Sequence, residues 1–283
     1  MKIALLQMNS VADVAANIRQ MTELAERAIA LESPDMLVVP EHWNWAGGTN
    51  AEKFANADDG HGGRAYAAAR DLAVRHRIWV HAGSIAEKAT ASKVNNVTYA
   101  FDRSGKEVAR YAKIHLFDIT GPNGDRYEES ATVAPGREIV TYRAEGLTIG
   151  CAICYDLRFP ELFQELMARG SDVIMLPSAF TMQTGKDHWD VLIRARAIET
   201  ETYMVACGQT GTFVTGSGER RHTYGHSLIA DPWGHVIARA SDGVGITAGR
   251  IDAALIARCR RQIPLADHKV IGAARAMRGA AAE

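Results

Sequence analysis

Residues 147–162 read LTIGCAICYDLRFPEL and pass from a strand through a turn into a helix. The run 147–153 is apolar and contains β-branched residues, which favours a buried strand. Pro160 favours the first turn of a helix. Cys154 therefore lies at a predicted strand-to-helix turn, where a side chain is exposed and backbone N–H groups can point at a developing oxyanion.

The same alternation of short apolar runs and amphipathic stretches extends along the whole chain. It predicts strands at 3–8, 36–39, 78–84, 173–176 and 203–207, with helices at 14–31, 63–76, 160–169 and 188–199. Turn residues also predict two hairpins, one pairing 95–101 with 108–112 and one pairing 227–230 with 236–238. Hairpins mixed with crossovers favour two sheets, each covered by helices on its outer face.

Composition narrows the class of protein. The 283 residues contain no Pro/Ser-rich or highly charged linker, so we expect one α/β domain. A formal net charge of -1 leaves no basic surplus for a phosphate backbone, and we expect no nucleic-acid partner. The apolar runs are too short for a signal peptide or a membrane span. We expect a cytoplasmic protein that does not enter a membrane.

Four cysteines in a chain of this length are too sparse for a disulfide scaffold. Cys151 and Cys154 have the spacing of a redox or zinc pair, but Cys151 falls inside a predicted strand and the remaining cysteines lack partners. His222 and His226 have a metal-like spacing in a segment that is not predicted to be helical. We expect no metal site.

Two charged residues end other apolar runs, as Cys154 does. Glu41 follows 36–39, and Lys113 follows 108–112. Taken singly, these residues are consistent with a structural ion pair, a surface lysine and a buried, inert thiol. Because open α/β sheets collect their chemistry at strand ends, the three side chains can converge. Together they provide a base, a cation for the thiolate and the oxyanion, and a nucleophile.

A Cys/His pair is the competing scheme for a nucleophilic site. His115 and His188 are the candidate bases for Cys154 in that scheme. The residues around Cys154 do not match the local signature of papain-type proteases. We therefore rank this scheme behind the first.

Several motifs occur in order along the chain: PE at 40–41, YAKIHLFD at 111–118, CYDLRFPEL at 154–162, PSAFT at 177–181, HW at 188–189 with RARAIE at 194–199, and GHS at 225–227 followed by DPWG at 231–234. In these motifs the chain resembles the carbon–nitrogen hydrolase (nitrilase) superfamily, particularly its Nit branch of amidases, and the resemblance extends to about residue 263.

The resemblance implies a four-layer αββα sandwich that assembles as a homodimer or a larger homo-oligomer. It implies one carbon–nitrogen hydrolase domain over residues 1–265, followed by a C-terminal tail at 266–283. It also implies chemistry that needs no cofactor.

The resemblance also assigns roles to residues. Glu41 matches the general base of the family, Lys113 the oxyanion stabiliser and Cys154 the nucleophile. Glu129 matches a second glutamate that positions the substrate and supports the lysine, although the neighbouring Glu128 leaves the register open.

Four further residues match the substrate-binding positions of the family. The Tyr155 N–H would join Lys113 in the oxyanion hole, Arg158 would bind a substrate carboxylate, and Phe180 and Thr184 would line the acyl pocket. Read alone, Arg158 is equally consistent with an ion pair to Asp156 or Glu161.

An arginine just beyond the nucleophile favours an acidic substrate, because a guanidinium binds a carboxylate in a bidentate fork. The resemblance accordingly implies ω-amides of dicarboxylic acids, of the deaminated glutathione or 2-oxoglutaramate type, cleaved through a thioester. A nitrilase and an N-carbamoyl amidase with the same triad are the enzymatic alternatives. A non-enzymatic assembly protein that retains the fold is the last of the alternative functions.

Overall fold

A computed structural model of the chain describes residues 1–121 and 124–271. Its strands are, in chain order, β1 (Lys2–Gln7), β2 (Met36–Val38), β3 (Trp79–His81), β4 (Ile85–Lys88), β5 (Val94–Phe101), β6 (Glu107–Ala112), β7 (Asp118–Thr120), β8 (Arg126–Glu128), β9 (Thr141–Ala144), β10 (Leu147–Cys151), β11 (Val173–Ser178), β12 (Tyr203–Gly208), β13 (Thr210–Val214), β14 (Arg220–Tyr224), β15 (Leu228–Ala230), β16 (Val236–Arg239) and β17 (Gly245–Arg250).

The α-helices are α1 (Val14–Glu32), α2 (Asn50–Ala55), α3 (Arg64–His76), α4 (Pro160–Ala168), α5 (Met182–Thr200), α6 (Ala253–Gln262) and α7 (Leu265–His268). Short 3-10 helices occur at Gly60–Gly62, Glu129–Ala131 and Cys154–Arg158.

The strands form two mixed sheets. The first has seven strands in the order β17-β1-β2-β3-β5-β4, with β6 also paired to β5, and the second has six in the order β16-β15-β12-β11-β10-β9. In the first sheet β1, β2 and β3 are parallel, and in the second β10, β11 and β12 are parallel. The short pairs β13–β14 and β7–β8 lie outside both sheets.

Strand β1 shows why the sheets stack. Successive side chains of a strand point to opposite faces. Ile3 and Leu5 pack in one core with apolar side chains of the second sheet, whereas Ala4 and Leu6 pack in another core with α1 and α3. The second sheet is covered on its other side by α4 and α5. The predicted αββα sandwich is therefore confirmed.

Both predicted hairpins are present, as antiparallel β5–β6 and β15–β16. The hairpin β13–β14 was not predicted, and it holds His222 in a strand, so His222 and His226 do not share a helical face. Strand β17 was also missed; it pairs with β1, which lies near the opposite end of the sequence.

No helix among residues 1–121 and 124–271 has the length and apolar character needed to cross a bilayer. Helix α7 lies across the predicted boundary at residue 265, and most of the predicted tail is outside the described residues.

Candidate active site

Cys154 lies in a sharp turn after the parallel strand β10. Its backbone adopts the left-handed conformation, with φ of 47°, and it begins the 3-10 helix Cys154–Arg158. Asp156 holds this turn, because its carboxylate accepts hydrogen bonds from the Ile153 N–H at 2.9 Å and the Tyr111 hydroxyl at 2.7 Å. The predicted strand-to-helix turn is confirmed, with a buried aspartate as its brace.

Asp156 also contacts His115, the first of the two candidate bases in the competing Cys/His scheme. Its Oδ1 contacts the His115 backbone N–H at 3.1 Å and Nδ1 at 2.7 Å, and the imidazole stacks on Phe159 at 3.7 Å. His188 Nδ1 faces the Arg158 guanidinium at 3.3 Å. Neither histidine lines the cavity at Cys154 within the described part of the chain. The geometry does not support either as the base.

Lys113, which follows β6, joins two carboxylates at the centre of the site. Its ammonium lies 2.9 Å from Glu41 Oε1 and 2.8 Å from Glu129 Oε2, and the residue is only 1% exposed. Glu128 pairs instead with Arg126 at 2.7 Å. The contact with Lys113 therefore falls on Glu129 and not on its neighbour.

The charges of this cluster support one another. Burial is the largest single influence and works against ionised Glu41, but the opposing influences, led by the Lys113 ammonium, together lower the pKa of Glu41 to about 2. Burial likewise opposes the charge of Lys113, and Glu129 and Glu41 nevertheless raise the pKa of Lys113 well above its ordinary value. Despite burial, the same ammonium lowers the pKa of Glu129. All three groups are charged at neutral pH.

The Cys154 thiol and the Glu41 carboxylate line the same cavity and influence each other's ionisation. Burial and the charge of Glu41 raise the pKa of Cys154 well above that of a free thiol, with Lys113 opposing them. The resting site thus pairs a neutral thiol with a carboxylate. Such a thiol becomes a nucleophile as its proton is taken during attack.

The main chain at Glu41 is held from two sides. Gly83 has φ of +45°, and a Cβ there would collide with the carbonyl oxygens of Val39 and Pro40. Gln209, just after β12, donates from Nε2 to the Glu41 carbonyl oxygen at 3.0 Å. The Gln209 hydrogen bond connects the first sheet to the second at the site.

A cavity of about 450 Å³ opens over this cluster. All eight residues proposed from the sequence line it: Glu41, Lys113, Glu129, Cys154, Tyr155, Arg158, Phe180 and Thr184. Its volume falls within the range of about 300–1,000 Å³ that is usual for small-molecule sites.

The four residues matched to substrate binding also line the cavity, beyond Cys154. The Arg158 guanidinium lies over the rings of Tyr155 and Phe180, at 5.9 and 5.6 Å from their centroids. It contacts neither of the carboxylates considered as ion-pair partners, Asp156 and Glu161. Thr184, near the start of α5, shares a hydrogen bond with the Thr181 hydroxyl at 2.9 Å.

A sequence model described as "Carbon-nitrogen hydrolase" matches residues 2–261. The chain belongs to this family. The deaminated glutathione amidase of Synechocystis sp. (strain PCC 6803 / GT-S) is 37% identical over 276 residues, which cover 94% of this chain and 97% of that protein. The Homo sapiens protein of the same name is 34% identical over 272 residues, covering 94% and 81%.

Solved structures of the family share the fold. The C. elegans NitFhit protein superposes with a TM-score of 0.87 at 34% identity, over 95% of this chain and 65% of that longer chain. Saccharomyces cerevisiae Nit3, a member of branch 10 of the nitrilase superfamily, superposes with a TM-score of 0.82 at 28% identity, over 94% of both chains.

In this hydrolase, Glu41, His42 and Glu129 place three potential metal-ligand atoms within 4.8 Å of one another. The Lys113 ammonium already contacts both carboxylates. A cation bound by both would therefore have to displace Lys113.

Among the side chains at the site that sequence reasoning missed, two bear directly on the catalytic cluster and on the charge of the cavity. Asn96, on β5, donates from Nδ2 to Glu41 Oε1 at 2.9 Å and to Glu129 Oε1 at 3.2 Å. Lys53, on α2, also lines the cavity. Asn96 in the predicted strand 95–101 was a usable signal, because an amide that a strand buries requires partners. Lys53 gave none, since a lysine in a short polar helix is ordinarily a surface residue.

Proposed function

We propose that the chain is a cysteine-dependent amidase that cleaves a linear C–N bond through a thioester on Cys154. The observation that carries the proposal is the buried ammonium of Lys113, which contacts Glu41 and Glu129 while Glu41 faces the Cys154 thiol. This arrangement places a proton acceptor, a nucleophile and a fixed positive charge around one point of the cavity.

Acylation follows from this arrangement. Glu41 accepts the thiol proton as Cys154 Sγ bonds to the amide carbonyl carbon. The negative charge that develops on the carbonyl oxygen is stabilised by Lys113 and by the backbone N–H of Tyr155, which lies in the first turn of a helix and has no acceptor within it. Glu41 then donates the proton to the departing nitrogen, the C–N bond breaks, and a thioester remains.

Deacylation reuses the same groups. Glu41 takes a proton from a water molecule, whose oxygen bonds to the thioester carbonyl carbon. The second oxyanion forms in the same place and is stabilised by the same donors. The C–S bond then breaks, Cys154 regains a proton from Glu41, and a carboxylic acid leaves.

The substrate class is an ω-amide of a dicarboxylic acid, and deaminated glutathione is our first choice. Two relatives that carry this name are 37% and 34% identical and are covered over 97% and 81% of their length. The cavity supports the choice, because Arg158 presents a guanidinium next to Phe180 on the wall beyond Cys154. A guanidinium at that place suits the carboxylate of the acyl group.

The test is release of 2-oxoglutarate from deaminated glutathione and, separately, from 2-oxoglutaramate, with Cys154→Ala as the control. Because both substrates give the same acid, one assay compares their kcat/KM values. We expect Cys154-dependent turnover, faster with deaminated glutathione. Turnover of nitriles or N-carbamoyl compounds, with neither amide cleaved, would contradict the proposal.

We also infer a homodimer or larger homo-oligomer. Supporting this, α5 exposes Ile198, and the β15–β16 turn exposes Trp233; the two elements are in contact because Arg194 Nε donates to the Gly234 carbonyl at 2.7 Å. Exposed apolar clusters of this kind mark contact surfaces. Light scattering should give at least twice the 30.7 kDa of one chain, and a single-chain mass at every concentration would contradict this.

We further infer a cytoplasmic location and a single catalytic domain over residues 1–265 with a tail at 266–283. The location is supported by four free, buried thiols, which suit a reducing compartment. Cell fractionation tests the location.

The domain boundary is tested by truncation. A chain ending at residue 265 that keeps full activity would support the boundary, and an insoluble one would contradict it.

A further inference from the structure

Within residues 1–121 and 124–271, five lysine and arginine side chains line the cavity, and three of them are already paired with carboxylates. Those three are Lys113 with Glu41 and Glu129, Arg126 with Glu128, and Arg221 with Glu219. Lys53 and Arg158 remain, and neither contacts a carboxylate among residues 1–121 and 124–271. A cavity with two uncompensated cations is suited to a ligand with two negative charges.

Lys53 lies in α2, and the helix is fixed in position from outside the cavity. Thr49 and Glu52 form a capping box at its start, and Phe54 packs on a small core formed with β4 and β5. The Lys53 ammonium makes no hydrogen bond or ion pair with the described residues. Burial lowers the pKa of Lys53, and the Glu129 carboxylate acts in the opposite direction. An incoming carboxylate would favour the charged form of this ammonium.

The two unpaired cations belong to different walls. Lys53 belongs to α2, which packs through Phe54 beside β4 and β5 of the first sheet. Arg158 lies in the 3-10 helix that follows β10 of the second sheet, against Phe180 and His188. A substrate whose carbonyl carbon is at Cys154 would therefore have its acyl part toward one cation and its departing amine toward the other.

We propose that Lys53 is a specificity-determining residue that binds a carboxylate carried by the departing amine of the substrate. The inference rests on the proposed function and assigns a residue to the second carboxylate of the substrate, the one that leaves with the amine. In deaminated glutathione, two residues of chain separate that bond from the terminal carboxylate, a span of at most about 7 Å. 2-Oxoglutaramate has no carboxylate on this side.

A structural alternative gives Lys53 a different task. Glu41, Glu129 and Lys113 together carry one net negative charge, which Lys53 would offset. In that case loss of the lysine would change turnover of every substrate equally, because the effect acts through the cluster. Binding of a substrate carboxylate acts only on substrates that carry one. The two roles are therefore separated by comparing substrates.

The experiment measures kcat and KM of wild type, Lys53→Met and Lys53→Arg with two substrates. One is deaminated glutathione; the other is its ethylamide analogue, in which a methyl group replaces the terminal carboxylate. Lys88→Met is the matched control, since Lys88 lies on the neighbouring strand β4, outside the cavity, and pairs with Asp59 at 2.9 Å.

We expect Lys53→Met to lower kcat/KM for deaminated glutathione by about 10- to 100-fold, mainly through KM, because a charge-assisted hydrogen bond is lost. The ethylamide should be cleaved equally by both enzymes, Lys53→Arg should restore most of the difference, and Lys88→Met should match wild type. Equal losses with both substrates would overturn the inference while the proposed function stands. Failure of wild type to cleave either substrate would overturn both.

Discussion

Replacing Glu41 with glutamine should change the reactivity of Cys154 and the turnover of amides in opposite directions. Glutamine keeps the shape of the side chain and removes its charge. Burial and that charge together hold the Cys154 pKa well above that of a free thiol, while Lys113 acts in the other direction. Glu41→Gln should therefore lower the thiol pKa and increase the thiolate fraction, while amide turnover loses its proton acceptor.

The magnitudes follow from elementary electrostatics. Two unit charges about 4 Å apart interact by roughly 4 kcal/mol at an effective dielectric constant of 20, equivalent to about a thousandfold in an ionisation constant. Rearrangement of Lys113 and Asn96 will absorb part of this, so we expect alkylation of Cys154 by iodoacetamide at pH 7 to accelerate by at least about tenfold. Amide turnover should fall by about 10²- to 10⁴-fold, the usual contribution of a general acid–base group.

The assay is the rate of iodoacetamide labelling of Cys154, followed by peptide mass spectrometry, beside steady-state turnover on the same preparations. Glu128→Gln is the matched control, because Glu128 pairs with Arg126 at the cavity and should change neither rate. A parallel fall of both rates in Glu41→Gln would refute the reasoning, since Glu41 would then generate the reactive thiolate instead of opposing it.

Two further predictions concern stability. Lys113→Ala leaves two buried carboxylates without their cation. The free energy of unfolding measured in urea should therefore fall by about 3–5 kcal/mol. A fall below about 1 kcal/mol would contradict the stabilising role of these buried ion pairs. The folded-state pKa of Glu41 is about 2 and its ordinary value is 4.5. The stabilisation that ionised Glu41 gives the folded state is therefore present above pH 4.5 and lost as the pH falls toward 2. The difference in unfolding free energy between wild type and Glu41→Gln should shrink over that window. An unchanged difference would count against the lowered pKa.

Much of the fold was predictable because short stretches of sequence, apolar runs and turn residues, mark the strands and hairpins of the sandwich. Strands such as 36–39 and 173–176 are apolar throughout since both faces are buried, and turn residues mark the two hairpins. The hairpin β13–β14 was missed because it lies outside both sheets and lacks a buried face. Its exposed strands carry polar residues that give no period-two pattern.

The convergence of Glu41, Lys113 and Cys154 was predictable for a similar reason, since each follows a strand. The remaining contacts depend on residues far apart in sequence. Asn96 reaches a carboxylate 55 positions away, and Lys53 acquires its place only because α2 packs against the first sheet. No local pattern specifies such distances, so these two side chains became visible only in three dimensions.

The central claim is a covalent acyl intermediate on Cys154, and rapid-quench mass spectrometry tests it most directly. Enzyme mixed with deaminated glutathione, then quenched in acid within the first turnover, should carry a 2-oxoglutaryl group on Cys154 that appears before free 2-oxoglutarate and decays as the product accumulates. Formation of 2-oxoglutarate at the normal rate with Cys154 unmodified, or with the acyl group on another residue, would contradict the account.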